Sequence, residues 1–158
     1  MTLKEDLLYE ISWKSYDGVM IGLKNLRALS GFIITADGFL LILFSNSIFF
    51  SSISTSGKVW IFQILGICLS VSSVFLSLGA IHFSRGINFN LSDYYEQIKG
   101  IDENELKSFF TERIVSNTKI NKKLFEKSNF YLKYSFLVLA LTIGLLAGYI
   151  TAHVIPFP

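Results

Sequence analysis

The stretch Leu29–Phe50, LSGFIITADGFLLILFSNSIFF, constrains this chain more than any other. It holds no Lys or Arg, is almost wholly apolar and carries one acid, Asp37, near its middle. As a helix, an apolar run of about 20 residues crosses the roughly 30 Å hydrocarbon core of a bilayer. Two further runs, Val59–Phe83 and Tyr131–Thr151, share this character. The sequence therefore predicts an all-α membrane protein with three transmembrane helices, plus an amphipathic N-terminal helix and a cytosolic helical loop.

Composition agrees. Of 158 residues, 51% are hydrophobic and 16% charged, outside the range of soluble domains, and the length is that of one membrane domain over 1–158. A net charge of +2 is too small to imply nucleic acid, and no basic–aromatic binding pattern occurs. The single Cys68 lies inside the second run, so neither a disulfide within one chain nor a Cys-based metal site is expected. The start, MTLKEDLLYEISWK, lacks the apolar core of a signal peptide, which leaves targeting to the first span.

Along the chain, residues 3–27 place Leu8, Ile11, Ser15, Val19, Leu23 and Leu26 on one helical face and Glu10, Lys14 and Asp17 on another. Trp13 and Tyr16 suit the headgroup boundary. The segment reads as an interfacial helix lying along the membrane and turning in near Arg27, or as a soluble helix packed on the long loop. The first span covers 29–50, ending between Phe44 and Phe50. A short Ser-rich connection, SNSIFFSSISTSGK, leads to the second span at 59–83, opened by Trp60. Residues 84–130 form the one sizeable polar segment. Asn90 with Asp93, and Asp102 with Glu105, mark two helix starts. From Asp102 the helical pattern runs through Lys133 into the third span, 131–151. Its stripe of Leu106, Phe110, Ile114, Asn117, Ile120 and Leu124 must pack on something, and a cytosolic protein partner docking at Leu106, Phe110 and Ile114 is one answer. Arg27-Ala28 enters the first span much as Lys127-Ser128 approaches the third, a faint internal echo.

Basic residues set the orientation. Lys4, Lys14, Lys24 and Arg27 precede the first span, and most others lie in 84–133, against Lys58 alone on the other side. The positive-inside rule then places the N-terminus and long loop in the cytosol and the C-terminus outside, in a multi-pass protein of the inner membrane. The cluster Lys119, Lys122, Lys123 and Lys127 lies just below the membrane and fits anionic lipid headgroups, or serves topology alone.

Small residues mark faces where helices approach in lipid. The second span carries Gly66, Ser70, Ser73, Ser77, Ala80 and Ser84 in steps of four and three. The third carries Ala140, Gly144 and Gly148, and the first Gly31, Thr35, Gly38 and Ser45. Three such faces point to a homo-oligomer around a Ser-lined path; packing within one chain is the alternative. Asp37 lies ten residues beyond Arg27, so about 15 Å into the bilayer at 1.5 Å per residue. Its insertion costs a few kcal/mol on translocon scales, and no Lys or Arg falls at that depth. The acid is therefore protonated, hydrogen-bonded or wet. Two readings compete: a ring of Asp37, with Ser70, Ser73 and Thr142 at similar depth, lines a cation or proton path or acts as a protonation switch when the bundle opens, or Asp37 bonds Ser73 or Thr142 as structural glue. A span broken at Asp37-Gly38 is a third arrangement.

Other polar groups carry less. His82 and His153 fall at opposite ends of different spans, and Tyr131, Tyr134 and Tyr149 read as interfacial aromatics. No phosphate loop, nucleophile with its base, or metal-ligand spacing occurs, so no enzyme activity, cofactor or metal is expected.

The order of charged amphipathic helix, span, short outer loop, span and charged cytosolic helix, over Lys4–Lys127, resembles the SLATT-type two-span effectors of bacterial conflict systems. The third span is additional to that pattern and is reminiscent of other small multi-span antiphage effectors. The resemblance implies an oligomeric effector that permeabilises or depolarises the inner membrane in antiphage defence, with its signal coming from a partner. Two alternatives accompany it: an accessory or immunity-type membrane protein docking a partner through its cytosolic helices, and a small ion-coupled transporter using Asp37.

Overall fold

The chain's two prolines, Pro156 and Pro158, stand at its very end, so nothing upstream forces a helix to stop by removing a backbone donor. The helices are correspondingly long. The computed structural model describes residues 3–46, 59–90 and 94–154. Helix α1 is Leu3–Ser45, α2 is Val59–Phe83, α3 is the short Tyr95–Ile98, and α4 is Glu103–Val154. The Ser-rich connection with Lys58, the stretch up to Phe50, the helix-start residue Asp93 and the last residues of the tail lie outside the described residues. Among the described residues there is no β-strand, and α1, α2 and α4 are each long and apolar enough to cross a membrane.

Two continuities decide the shape. Helix α1 runs without a break through Arg27, so residues 3–27 do not turn along a membrane surface; they extend the first span as one 43-residue rod. Helix α4 likewise joins the polar segment to the third span in 52 residues, as its pattern predicts. At 1.5 Å per residue these rods are about 65 and 78 Å long, roughly twice the bilayer core. Both therefore project well beyond a membrane as a stalk.

Burial recurs every seventh residue. In α1 one buried row is Tyr16, Leu23, Ser30, Asp37 and Phe44, with Leu26, Ile33 and Leu40 beside it. In α4 the row is Ile114, Asn121, Ser128, Ser135, Thr142 and Tyr149, flanked by Leu132 and Leu139. In α2 the rows are Gly66, Ser73, Ala80 and Ser70, Ser77, Ser84. A seven-residue repeat keeps one seam facing its neighbours when helices wind left-handedly around each other. Contacts fix the directions. Asp6 meets Lys107 and Met20 meets Asn121, both 101 residues apart, so α1 and α4 run parallel. Phe44 meets Gly66 and Arg27 meets Ser84, so α2 is antiparallel to α1. The echo between Arg27-Ala28 and Lys127-Ser128 thus has a physical counterpart: two parallel helices pass the same level side by side.

Below the three-helix section, α2 ends and its place is taken by extended chain. Ser84 and Arg85 turn, and Gly86 adopts φ +50°, a left-handed conformation that favours glycine at this exit, where a Cβ would also crowd Leu23 at 2.9 Å. Residues 86–90 then run along α1 and α4 as a strap. Its main chain cannot pair with helix backbones, so two buried side chains serve it. Tyr16 Oη donates to the Ile87 carbonyl (3.0 Å) and accepts from the Phe89 amide (2.7 Å). Asn121 accepts from the Ile87 amide (2.7 Å) and donates to its carbonyl (3.0 Å). Phe89 packs edge-on against Trp13 and Phe110 and stacks on Tyr94.

Candidate functional site

The three-helix section has a polar interior. Ser30, Asp37, Ser70, Ser73, Ser77, Ser128, Ser135 and Thr142 are all fully buried. Hydroxyls suit this place because lipid offers no hydrophobic drive for helices to associate, and small polar groups allow close approach and bonds across the interface. The central knot joins α2 to α4. Ser135 Oγ donates to the Ser73 carbonyl (2.9 Å), Ser73 Oγ donates to the Ser135 carbonyl (3.1 Å), and Ser77 and Ser135 share a 2.6 Å hydroxyl pair. Seven residues away, Ser128 donates to the Ala80 carbonyl at 2.8 Å. On the other helices Ser30 and Thr142 return their hydroxyls to their own helix, to Leu26 and Val138.

Asp37 stands apart within this seam. Its residue is 0% exposed, and neither carboxyl oxygen has a hydrogen-bond partner; Ser70 Oγ has none either. Ser73 lies beside the carboxyl, but its hydroxyl is turned to Ser135. Thr142 is committed to Val138. Both hydroxyls expected to glue Asp37 in place thus have other acceptors, with Ser73 still adjacent to the carboxyl. A buried polar group without a partner costs about 1–3 kcal/mol, and more if charged. Asp37 is therefore a destabilising group held in place by its surroundings. The span is not broken at Asp37-Gly38, because α1 is continuous there.

Both ends of the seam are closed. At the basic end Arg27 donates from Nη2 to the Ser84 carbonyl (2.9 Å) and from Nε to Ser84 Oγ (3.3 Å), placing a cation at the C-terminus of α2, where the helix dipole favours one. At the other end the Phe44 ring covers Gly66, where any Cβ would overlap it.

Several expected assignments change. Asp37 faces the interior of its own bundle, so a ring of Asp37 from neighbouring copies would require the three helices to part. Gly66, Ser70, Ser73, Ser77, Ala80 and Ser84 form the α2 seam, but its partners are α1 and α4 of the same chain. Ala140, Gly144 and Gly148 instead point outward, with open space around both glycines, as do Gly31 and Gly38. Ile114 is fully buried and Phe110 packs on Phe89, so these two are engaged inside the chain; Leu106 is half-buried and Ile120, on the same stripe, is exposed. The lysine cluster divides: Lys119 and Lys122 line a groove with Ile11, Ser12, Ser15, Val115 and Thr118, whereas Lys123 and Lys127 line a different one beside Phe83. Tyr16 and Tyr149, read as interfacial aromatics, are core residues, Tyr149 packing on Phe62. Tyr134 is exposed, as is His82.

The strap contacts of Tyr16 and Asn121 escape a reading by apolar stripes because both residues are polar. The seven-residue recurrence of buried positions is the signal that finds them. No group of His, Cys, Asp and Glu among the described residues could hold a metal ion. No known protein family matches the chain, and neither a curated protein nor a solved structure matches it.

Proposed function

We propose that this protein is an inner-membrane effector at rest, which permeabilises or depolarises the membrane when its bundle opens. The observation that carries this reading is the sealed serine seam with an unpartnered Asp37 at its centre. Such a group adds a standing cost to the closed form, and opening to water removes that cost. The seam then supplies the polar lining that an ion needs. Self-association through the outward ladders of Gly31, Gly38, Gly144 and Gly148 enlarges the path, and a cytosolic partner acting on the stalk supplies the trigger. Antiphage defence is the setting that the SLATT-type architecture implies. The placement of Lys and Arg supports a cytosolic stalk.

Ion flux through liposomes carrying the purified protein tests the reading. Leak through the wild type that Asp37→Leu abolishes at equal insertion and assembly is the expected result. A leak indifferent to Asp37→Leu takes the acid off the conducting path.

A second reading has its own observation. Leu7, Leu8, Ile11, Ile21, Val115 and Ile120 are exposed on the stalk, Ile11 and Val115 by more than half. Apolar surface outside the bilayer marks binding surfaces, which favours an accessory protein docking a partner there. In that case Ile11→Glu with Val115→Glu abolishes partner binding while Asp37→Asn preserves it.

A further inference from the structure

We propose that the wedge between the C-terminal end of α2 and α4 seats one anionic phospholipid. The proposal is independent of the pore reading. The wedge has a volume of about 490 Å³ and is lined by Phe83, Lys123, Glu126, Lys127, Phe130 and Tyr131. Its level is set by Phe83, which precedes the Ser84 that Arg27 ties down. This is where the apolar section gives way to the basic stalk, and so where lipid phosphates lie.

The lining fits such a lipid at both ends. Lys123 and Lys127 are one turn apart on α4 and both line this one space. Lys127 Nζ sits 5.4 Å from the Phe83 ring centroid, and that cation–π contact holds the ammonium at the wedge. Glu126 opposes them, so two positive groups against one negative leave a single positive charge, matched to one phosphodiester. Phe83 stacks on Tyr131 at 5.4 Å and forms an aromatic floor under the headgroup. Phe130, 57% exposed, packs on the exposed Tyr134 at 4.6 Å, so the two rings continue up α4 as a path for an acyl chain. A free phosphate would use the lysines but not this aromatic path.

The divided lysine cluster provides the control. Lys119 and Lys122 belong to the same run of charge but line the groove beside α1. Native mass spectrometry of the whole protein, released from nanodiscs of equal phosphatidylglycerol and phosphatidylcholine, reads the bound lipid directly. The wild type should retain one phosphatidylglycerol. Lys123→Gln with Lys127→Gln should lower that occupancy roughly tenfold or more, given the usual contribution of a lysine near anionic lipid. Lys119→Gln with Lys122→Gln should leave it unchanged, and Lys123→Arg with Lys127→Arg should keep it. Equal loss in both Gln pairs, no preference for phosphatidylglycerol, or displacement by millimolar inorganic phosphate would overturn the site.

Discussion

Asp37 carries the sharpest consequences at the scale of single residues. Replacing it with Leu removes two unpartnered oxygens from the bundle, so the closed form should gain about 1–3 kcal/mol. Denaturant titration in detergent would show this gain, and the same variant should be silent in the flux assay. Stability and activity then move in opposite directions, which a purely structural acid would not produce. Asp37→Asn keeps an unpartnered polar group, so it should gain far less stability. The glycines make a matched pair. A side chain at Gly66 must displace the buried Phe44 ring, and Gly66→Leu should cost about 1–3 kcal/mol through overpacking. Gly144 faces open space, and Gly144→Leu should leave monomer stability within about 0.5 kcal/mol. A changed oligomer on analytical ultracentrifugation of Gly144→Leu alone would assign the outward ladder to self-association.

At the scale of elements, the strap is the part most open to change. It is held by side chains rather than by a ladder, and Tyr16 alone serves both Ile87 and Phe89. Tyr16→Phe strips the part-buried Phe89 amide of its partner, while the Ile87 carbonyl keeps its bond from Asn121, so the loss should be about 1 kcal/mol. Hydrogen exchange should accelerate at the Phe89 amide and much less at Ile87, whose amide bonds Asn121. Exchange unchanged at Phe89 would mean that aromatic packing by Trp13, Tyr94 and Phe110 holds the strap without it. The helices behave otherwise. Helices α1 and α4 are unbroken from stalk to span.

For the whole molecule, the question is what keeps the seam shut and which way it faces. Arg27 closes the basic end through Ser84, and Phe44 with Gly66 closes the other. Arg27→Met removes the cation from the α2 terminus and leaves the Ser84 carbonyl without its donor. Basal leak in liposomes should therefore rise in Arg27→Met and fall back to background in Arg27→Met with Asp37→Leu. Orientation has an equally direct check. In a Cys68→Ala background, Asp17→Cys should react with a membrane-impermeant maleimide only after the membrane is permeabilised. Asn46→Cys, at the far end of the same helix, should react in sealed cells or vesicles of native orientation. The reverse pattern would put the stalk outside the cell.

The sequence by itself determined the class of architecture. Three apolar runs of bilayer length, no proline upstream of Pro156 and a one-sided distribution of Lys and Arg leave little besides three helices with a basic end, because lipid tolerates no unpaired backbone. The stepped row from Gly66 to Ser84 was equally legible as a contact face, since its period is a local property. What the row touches was not. Whether small residues meet another span of the same chain or a second copy depends on how α2 lies between α1 and α4. The structure answers differently for Ser77, which meets Ser135, and for Gly144, which meets nothing. The same holds for Asp37, whose burial was readable but whose surroundings, with Ser73 turned to Ser135 and Thr142 to Val138, are set by the packing. Tyr16 and Asn121 give the clearest case. Their chemistry is visible as letters, but their role exists only where a departing chain lays bare amides and carbonyls beside them. Helix formation and insertion follow from local hydrogen bonding and transfer energy, whereas the choice of partner for each buried polar group is set by tertiary geometry.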